Sequence, residues 1–249
     1  MRKKRLLLLL IVVLVAFSLT SCDKKYTPDP AVEQYLNTGL TGEKAYAALN
    51  KAGYVETRTI QDKQGNVKGT FWSQVQIDKT DADNLSLSIR QVFEGEYVEN
   101  NVEETNSTLA KTDGVYVYTV ATRYTDVSGE VKNSEELSDT DAAALVRSIV
   151  YSNNEVYDEG LYYGDLFMLR IYRYPAENFY VDTEQNLCVF DAKIYIRQDS
   201  TGNIKLYQTT KINELGLLVY NSEKYESVSN DYVMTCEIIP SYEYVTTAK

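Results

Sequence analysis

The sequence predicts an α+β protein: a large, curved antiparallel sheet, a half-barrel-like meander, with amino-terminal helices and one mid-chain helix packed on it. Two observations carry this prediction. From Tyr54 onward, apolar and polar residues alternate with a period of two, whereas a helical period of about 3.6 occurs only near the amino end and once in mid-chain. Alternation with one apolar face is typical of antiparallel strands that bury one face and leave the other partly wet.

Two helices are expected before the sheet. Asp29 can cap a first helix that begins at Pro30, because an acidic cap and a proline in the first turn are favourable there. Thr41 can cap a second helix that runs from Glu43 to Lys51. Gly53 is expected to end it, since glycine readily takes the left-handed conformation that follows a helix.

The strands are predicted from their alternation. Val67 to Ile77, Leu85 to Phe93 and Val115 to Tyr124 alternate clearly, and five later segments share the strand-like composition: Leu161–Tyr174, Leu187–Gln198, Ile204–Ile212, Gly216–Tyr220 and Tyr232–Ile239. The total is about eight to ten strands.

Three loops share one form, in which Asp is followed three residues later by Gly and three residues further on by Lys. They are Asp62–Lys68, Asp126–Lys132 and Asp199–Lys205. Asp opens such a turn through its side chain and Gly takes positive φ, so each loop predicts a β-hairpin. The flanking sequences share little, which favours similar turn chemistry over an internal repeat.

A single helix is expected among the strands. Ser138 or Asp139 can cap it, and Ala142 to Tyr151 carries apolar residues on one side. Asn153 and Asn154 are expected to end it. No change of composition divides the chain after residue 30, so residues 31–249 are expected to form a single α+β domain.

The first 22 residues follow a separate pattern. Met1–Arg5 reads MRKKR, and Leu6–Phe17 is an unbroken apolar run that is too short to span a bilayer. Leu19-Thr20-Ser21-Cys22 follows. This segment resembles a bacterial lipoprotein signal peptide with its lipobox, which implies that residues 1–21 are removed and that Cys22 is acylated. Residues 22–30 would then be the acylated cysteine and a tether.

The formal net charge limits the classes of molecule that the protein is expected to bind. Removing residues 1–21 from the 249 leaves 228, with 21 of the 25 Lys and Arg residues against all 36 Asp and Glu, a formal charge of −15. This argues against nucleic acid and against adsorption to anionic lipid. The lipid on Cys22 would therefore hold the protein on the extracytoplasmic face of the cell membrane.

The sequence contains no histidine. This excludes Ser-His-Asp and Cys-His nucleophiles and most zinc sites, so no cofactor, no metal and no catalytic residue is expected. A hydrolase with paired carboxylates stays open in principle, but no such pair is recognisable. Cys188 and Cys236 lie in predicted strands, either as a disulfide or as two buried thiols.

Two acidic clusters have a functional and a structural interpretation. The run Asp78–Asn84 contains three aspartates but lacks the glycine and the glutamate of an EF-hand, so a solvated loop between strands is favoured over a calcium site. The run Glu94–Glu104 could bind a cation or a basic partner, and a solvated loop is favoured there too.

Tyrosine is abundant, with 22 residues of 249. Tyr172, Tyr174 and Tyr195 are the candidate binding surface for sugar rings or a protein if they are exposed, and core residues if they face the helices. Leu161–Leu169 and Leu215–Val219 are weakly polar, and Leu217–Val219 lacks alternation, as expected of a strand that is buried on both faces or lines an apolar cavity.

The order of acylated cysteine, tether, helices, long meander and mid-chain helix resembles that of half-barrel lipoproteins related to the LolA and LppX lipid carriers. The resemblance implies an apolar cavity for acyl chains between sheet and helices. The function expected is therefore a non-catalytic, membrane-anchored protein that binds an amphipathic or lipid-like ligand. The alternative is an envelope adhesion or assembly protein that binds glycan or protein through a tyrosine-rich sheet face.

Overall fold

The computed structural model describes residues 30–31, 47–150, 179–198, 202–213, 217–227 and 232–244, with the backbone alone for residues 150, 192–198, 202–204 and 244. Eleven strands are present in these ranges: β1 (Leu49–Asp62), β2 (Val67–Asp78), β3 (Ser86–Gly95), β4 (Val102–Thr112), β5 (Val115–Tyr124), β6 (Glu130–Leu137), β7 (Phe179–Asp182), β8 (Leu187–Gln198), β9 (Gly202–Ile212), β10 (Leu218–Ser227) and β11 (Tyr232–Tyr244). One helix, α1 (Asp139–Val150), lies between β6 and β7 in the chain.

All eleven strands belong to one antiparallel sheet. Their order is β6-β5-β4-β3-β2-β1-β11-β10-β9-β8-β7, so two meanders meet where β1 pairs with β11. That central pairing is long and runs from Leu49 opposite Tyr244 to Asp62 opposite Tyr232. Within the described ranges, β6 and β7 are the edges, and the large antiparallel meander predicted from the sequence is confirmed as an open sheet.

One face of the sheet is buried along most of its length. In β2, alternate residues from Gly69 to Ile77 are buried and those between them are more exposed, as the alternation predicts. We call the face with the buried residues the inner face and the opposite one the outer face. At one end of the inner face, Val75, Ile77 and Leu87 form a core cluster with Ala142 and Val146 of α1.

Helix α1 is confirmed, and its cap is Ser138. The Ser138 hydroxyl accepts the N–H of Asp141 at 3.1 Å, which satisfies a backbone donor that the first turn leaves open. Ala142 and Val146, one helical turn apart, are both 0% exposed, so the apolar side of α1 is what packs on the sheet. Neither α1 nor any other described helical residue forms a span long and apolar enough to cross a membrane.

The prediction of amino-terminal helices is not supported. Of the first helix only Pro30 and Ala31 are described, and both are helical. The second is wrong at its end, because helical structure stops at Ala48 and β1 begins at Leu49. Pairing on both sides of β1 outweighs local helical preference here.

Gly53 does not end a helix but lies within β1, opposite Gln76 of β2 and Ser241 of β11. A Cβ atom at this position would lie 2.6 Å from the carbonyl oxygen of Val75. The glycine therefore permits a close approach of β1 and β2 rather than a left-handed turn.

The hairpins at the first two Asp-x-x-Gly loops are confirmed, since β1 pairs with β2 and β5 with β6 across them. At the third loop β8 pairs with β9 from Gln198 opposite Gly202. The acidic run is only partly a loop: Glu94 belongs to β3 and Glu104 to β4, so the solvated-loop prediction is wrong at both ends.

Cys188 and Cys236 are free and buried. They lie in β8 and β11, and β9 and β10 separate these strands in the sheet. Three strand spacings amount to roughly 14 Å, well beyond the separation that a disulfide bridges. The interpretation as two buried thiols is confirmed over the disulfide.

Candidate functional site

A pocket of about 430 Å³ opens on the inner face at the end away from α1. We call it the Arg58 pocket. Its position follows from strand register, because Arg58 of β1 lies opposite Phe71 of β2, and Phe71 lies opposite Phe93 of β3. The loop between β3 and β4 closes one side. The lining residues are Arg58, Phe71, Phe93, Tyr97, Glu99, Asn100 and Val102.

Aromatic rings form much of the pocket wall. The ring centroids of Phe71 and Phe93 are 5.2 Å apart, and those of Phe71 and Tyr97 are 6.1 Å apart, both in tilted arrangements. The guanidinium carbon of Arg58 lies 5.4 Å from the centroid of Phe71. Such distances are typical of aromatic and cation–π contacts. The pocket thus joins an apolar wall to one cation.

Arg58 is held by Glu56, two residues earlier on the same face. Its Nε and Nη2 atoms both lie 2.6 Å from Oε1 of Glu56, which is only 7% exposed. Burial lowers the pKa of Arg58, but the charge of Glu56 and its hydrogen bond outweigh this, so the pKa is raised overall. Arg58 is therefore charged and fixed in position.

Cys236 of β11 completes this group. Its Sγ atom donates to Oε1 of Glu56 at 3.5 Å. Burial, aided by the negative charge of Glu56, raises the pKa of the Cys236 thiol to about 12. A thiol in this state is a weak donor and a poor nucleophile.

Tyr97 brings a hydroxyl to the same pocket. Burial raises the pKa of this hydroxyl, and its oxygen has no hydrogen-bond partner among the described residues. Gly69 and Gly95, which lie opposite each other, bring the loop that carries Tyr97 close to β2. A Cβ atom on Gly95 would lie 2.1 Å from the carbonyl oxygen of Lys68, so no larger residue fits without moving the loop.

A second polar group lies on the inner face of β9 and β10. Gln208 Nε2 donates to Thr210 Oγ1 at 3.2 Å and to Asn221 Oδ1 and Glu223 Oε1, each at 3.4 Å. Thr210 Oγ1 donates to Asn221 Oδ1 at 2.7 Å, and Asn221 Nδ2 donates to Glu223 Oε1 at 3.3 Å. Tyr225 donates its hydroxyl proton to Glu223 Oε2. We call these five residues the inner polar cluster.

Like the hydroxyl of Tyr97, the buried atoms Oε1 of Gln208 and Oγ of Ser73 on this face have no hydrogen-bond partner within the described ranges. Both residues are 1% exposed. An unsatisfied buried acceptor or donor costs roughly 1–3 kcal/mol, so several of them on one face are a considerable cost to the fold.

Strand register connects the inner polar cluster to the Arg58 pocket. Gln208 lies opposite Glu223, Glu223 opposite Cys236, and Cys236 opposite Arg58. Arg58 in turn lies opposite Phe71 of the pocket. One continuous row across five strands therefore carries polar groups at one end and aromatic groups at the other.

The outer face has different chemistry. A groove of about 690 Å³ crosses β4, β3, β2, β1 and β11, where short polar side chains such as Ser86, Ser88 and Ser241 line it. Lys51 forms an ion pair with Glu243 at 3.0 Å at the same groove. The groove is larger than the Arg58 pocket, but its lining has a single aromatic residue, Tyr242, among mainly short or charged side chains, so it offers little to an apolar ligand.

Glu104 is the buried charge of the outer face. Arg90 Nε contacts its Oε1 at 2.7 Å and Arg123 Nη2 contacts its Oε2 at 2.7 Å. The hydrogen bond from Arg90, with that from Asn106 and the charge of Arg123, lowers the pKa of Glu104. Both guanidinium groups are thus engaged, and the cluster serves the fold.

Three residues of the predicted site, Cys22, Tyr172 and Tyr174, lie outside the described ranges. Tyr195 lies in β8 opposite Lys205, where only the backbone is described. The weakly polar segment at the start of β10 is buried at Leu217 and Leu218, in agreement with its prediction.

The aspartate run is confirmed as a loop between β2 and β3 except at Asp78, which is the last residue of β2. Asp81 Oδ1 accepts the N–H of Asp83 at 2.9 Å and Oδ2 accepts the side-chain amide of Asn84 at 2.6 Å, so these oxygens serve the turn itself. Across the described part of the chain no group of three acidic or cysteine side chains could hold a metal ion.

The sequence alone did not point to Glu56, Arg58, Tyr97 or the inner polar cluster. What marks such residues is a polar side chain at a strand position where the alternation predicts an apolar one. In β9 the alternation Leu206, Gln208, Thr210, Ile212 places two polar residues where apolar ones are expected. Such departures become visible only once the paired strands are known.

Comparisons with known proteins give slight similarities. No protein-family model and no curated protein matches the chain. A beta-barrel-like protein of the domain of unknown function DUF1849 from Brucella abortus is 10% identical, with 79% of this chain and 99% of that chain covered and a TM-score of 0.29. A DUF1329 family protein from Desulfovibrio piger is 8% identical, covers 88% and 93%, and has a TM-score of 0.25.

An outer membrane lipoprotein-sorting protein domain from Vibrio parahaemolyticus is 9% identical, with 88% of this chain and 92% of that chain covered and a TM-score of 0.20. TM-scores this far below 0.5 do not establish a common fold, so the function has to be inferred from the residues of this chain.

Proposed function

We propose that the protein is a non-catalytic binding protein for an amphipathic or lipid-like ligand, held on the inner face of the sheet. The observation that carries this proposal is the continuous row from the rings of Phe71 and Phe93 to the buried polar residues Gln208 and Glu223. A ligand with an apolar and a polar part would match both ends. Pockets for such ligands are typically apolar with a few placed polar groups.

The residues of the Arg58 pocket fit binding better than catalysis. Arg58 is neutralised by Glu56 at 2.6 Å, and burial raises the pKa of the neighbouring Cys236 thiol to about 12. Neither group is poised to attack a substrate or to exchange a proton near neutral pH. The aromatic wall instead offers contact area to an apolar chain.

Binding to the Arg58 pocket is testable with a neutral apolar fluorophore, N-phenyl-1-naphthylamine. Its emission should rise with the purified protein, and Phe93→Ala should weaken the affinity by about tenfold because an aromatic contact is lost. Val92→Ala is the matched control, since Val92 lies opposite Trp72 on the outer face. Equal affinity of the two variants would contradict the proposed site.

The expected anchoring at Cys22 is part of the same proposal. A ligand-binding domain of formal charge −15 after removal of residues 1–21 would need a lipid to stay at the membrane surface. Mass spectrometry of the amino-terminal peptide from membranes should show a diacylglyceryl group on Cys22. An unprocessed Met1 in the membrane-bound protein would contradict the anchor.

A further inference from the structure

We propose that the inner polar cluster binds the polar group of the ligand, and that this group is a neutral or cationic hydrogen-bond donor such as a hydroxyl-rich or ammonium headgroup. The inference rests on the proposed function and adds the ligand's chemical class. The hydrogen bonds and charges at and near the row support this proposal. The apolar part of the ligand would lie in the Arg58 pocket.

The inner polar cluster has more free acceptors than free donors. The amide of Gln208 is committed through Nε2, the amide of Asn221 through Nδ2, and the hydroxyl proton of Thr210 is donated to Asn221. Oε1 of Gln208 is left without a partner in the described ranges, as are the hydroxyl of Ser73 in the neighbouring register and that of Tyr97 in the Arg58 pocket. A ligand that donates hydrogen bonds would satisfy them, and a pure acceptor would leave Oε1 of Gln208 unsatisfied.

The orientation of the Gln208 amide is fixed by its neighbours. The reverse orientation would place Oε1 against the side-chain oxygens of Asn221 and Glu223, and oxygens without a proton between them repel one another. Nε2 therefore faces these oxygens, at 3.4 Å from each. The free position of the amide is an acceptor.

The charges near Glu223 also favour a neutral or cationic headgroup over an anionic one. Glu223 lies in the row and Glu56 lies in the neighbouring register, opposite Ser73, while the guanidinium of Arg58 is bound to Glu56. No lysine or arginine of the described chain lies within ion-pair distance of Glu223, whose partners are Gln208, Asn221 and Tyr225. A sulfate or phosphate headgroup beside Glu223 would meet an uncompensated like charge.

The distance between Glu223 and the Arg58 pocket is short enough for one ligand molecule to reach both. Glu223 and Phe71 lie three strand spacings apart, roughly 14 Å. A medium-length alkyl chain spans this distance, so its headgroup could reach Glu223 while its end stays among the rings of the Arg58 pocket.

Photoreactive alkyl probes would test the inference on the full chain in nonionic detergent. Three probes share one twelve-carbon diazirine chain and differ in the headgroup: an ammonium, a glycoside or a sulfate. After illumination, peptide mass spectrometry locates the labels. We expect the ammonium and glycoside probes to label the peptides of the Arg58 pocket. The concentration of these probes needed for labelling should be about tenfold lower than that of the sulfate probe.

Two variants separate the headgroup inference from the proposed function. Glu223→Gln should reduce labelling by the ammonium probe about tenfold and leave the glycoside probe unchanged, whereas Phe93→Ala should reduce labelling by all three. Glu226→Gln is the matched control, because Glu226 lies on the outer face of the same strand and pairs with Lys224 at 2.7 Å. Far-ultraviolet circular dichroism verifies that each variant is folded.

The labelling results distinguish failure of the headgroup inference from failure of the proposed function. Equal labelling by all three probes, or stronger labelling by the sulfate probe, would overturn the headgroup inference and leave the proposed function standing. No labelling of the pocket by any probe would overturn the proposed function itself. Loss of headgroup preference in Glu226→Gln as well would show that overall charge, not the inner polar cluster, selects the ligand.

Discussion

The hydroxyl of Tyr116 accepts the backbone N–H of Leu85 at 2.9 Å and so fixes the loop before β3 to β5, two strands away. The same hydroxyl donates to the carbonyl of Asp83 at 3.1 Å. Lys111 lies 4.8 Å from the ring of Tyr116 and forms an ion pair with Asp139 of α1 at 3.2 Å. One tyrosine thus joins loop, sheet and helix at the apolar end of the inner face.

Replacing Tyr116 by phenylalanine should destabilise the protein. The N–H of Leu85 would lose its partner in a site where Tyr116 is only 2% exposed, which costs roughly 1–3 kcal/mol in the free energy of unfolding. Urea unfolding measures this loss. Tyr118→Phe, two residues along the same face, is the control and should leave the midpoint nearly unchanged; identical midpoints for both variants would refute the role of the hydroxyl.

The pH dependence of stability should reveal the Glu104 cluster. Its pKa lies below the ordinary value of 4.5, so the folded protein holds fewer protons than the unfolded chain in that range. The stabilisation is therefore complete above the unfolded pKa and is lost as the pH falls through the lower folded pKa. Glu104→Gln should be less stable than the natural protein by roughly 1–3 kcal/mol at neutral pH.

The difference between the two proteins should shrink as the pH falls below 4.5, because the natural carboxyl then becomes protonated as well. Urea midpoints measured from neutral to acidic pH would follow it. Glu103→Gln is the control: Glu103 contacts Arg123 at 3.5 Å, but its side chain is 43% exposed, so we expect little change. A stability difference for Glu104→Gln that does not vary with pH would contradict this assignment.

The two strand cysteines should resist alkylation in the folded protein. Burial raises the pKa of Cys188 to about 11 and that of Cys236 to about 12, so little thiolate exists at about pH 8. A chain that begins at Asp23 contains only these two cysteines. We expect no rapid reaction with iodoacetamide in the folded state and two equivalents after unfolding without reductant; no reaction after unfolding would indicate a disulfide.

The fold could be predicted in outline because the signals that define it are local. Alternation in β2 and β3 and the turn at Asp62 depend on near neighbours in the sequence, and these elements are confirmed. The end of the second helix was mispredicted because the strand from Leu49 is stabilised by pairing with β11, almost two hundred residues away. Sequence periodicity contains no information on such pairing.

The candidate site was harder to predict than the sheet. Phe71 and Phe93 lie in segments whose alternation was predicted. Glu56 and Arg58, by contrast, look like ordinary strand surface, and only the register of β1 with β2 shows that they lie on the inner face. Tyrosine content also pointed elsewhere, since Tyr172 and Tyr174 stand out by spacing whereas Tyr97 lies in an acidic loop. A candidate site assembled across several strands depends on how the strands pair, which no single segment reveals.

The loop that carries Tyr97 should depend on Gly95. At φ +60 and with a new Cβ 2.1 Å from the carbonyl of Lys68, Gly95→Ala would have to move the loop away from β2. Gly114→Ala is the matched control, because Gly114 has φ +84 but nothing within 4 Å of a new Cβ, so it bears the backbone strain alone, roughly 1–2 kcal/mol. We expect Gly95→Ala to lower both the urea midpoint and the affinity for N-phenyl-1-naphthylamine, and Gly114→Ala to lower the midpoint only. Unchanged affinity in Gly95→Ala would mean that the loop is not part of the Arg58 pocket's binding surface.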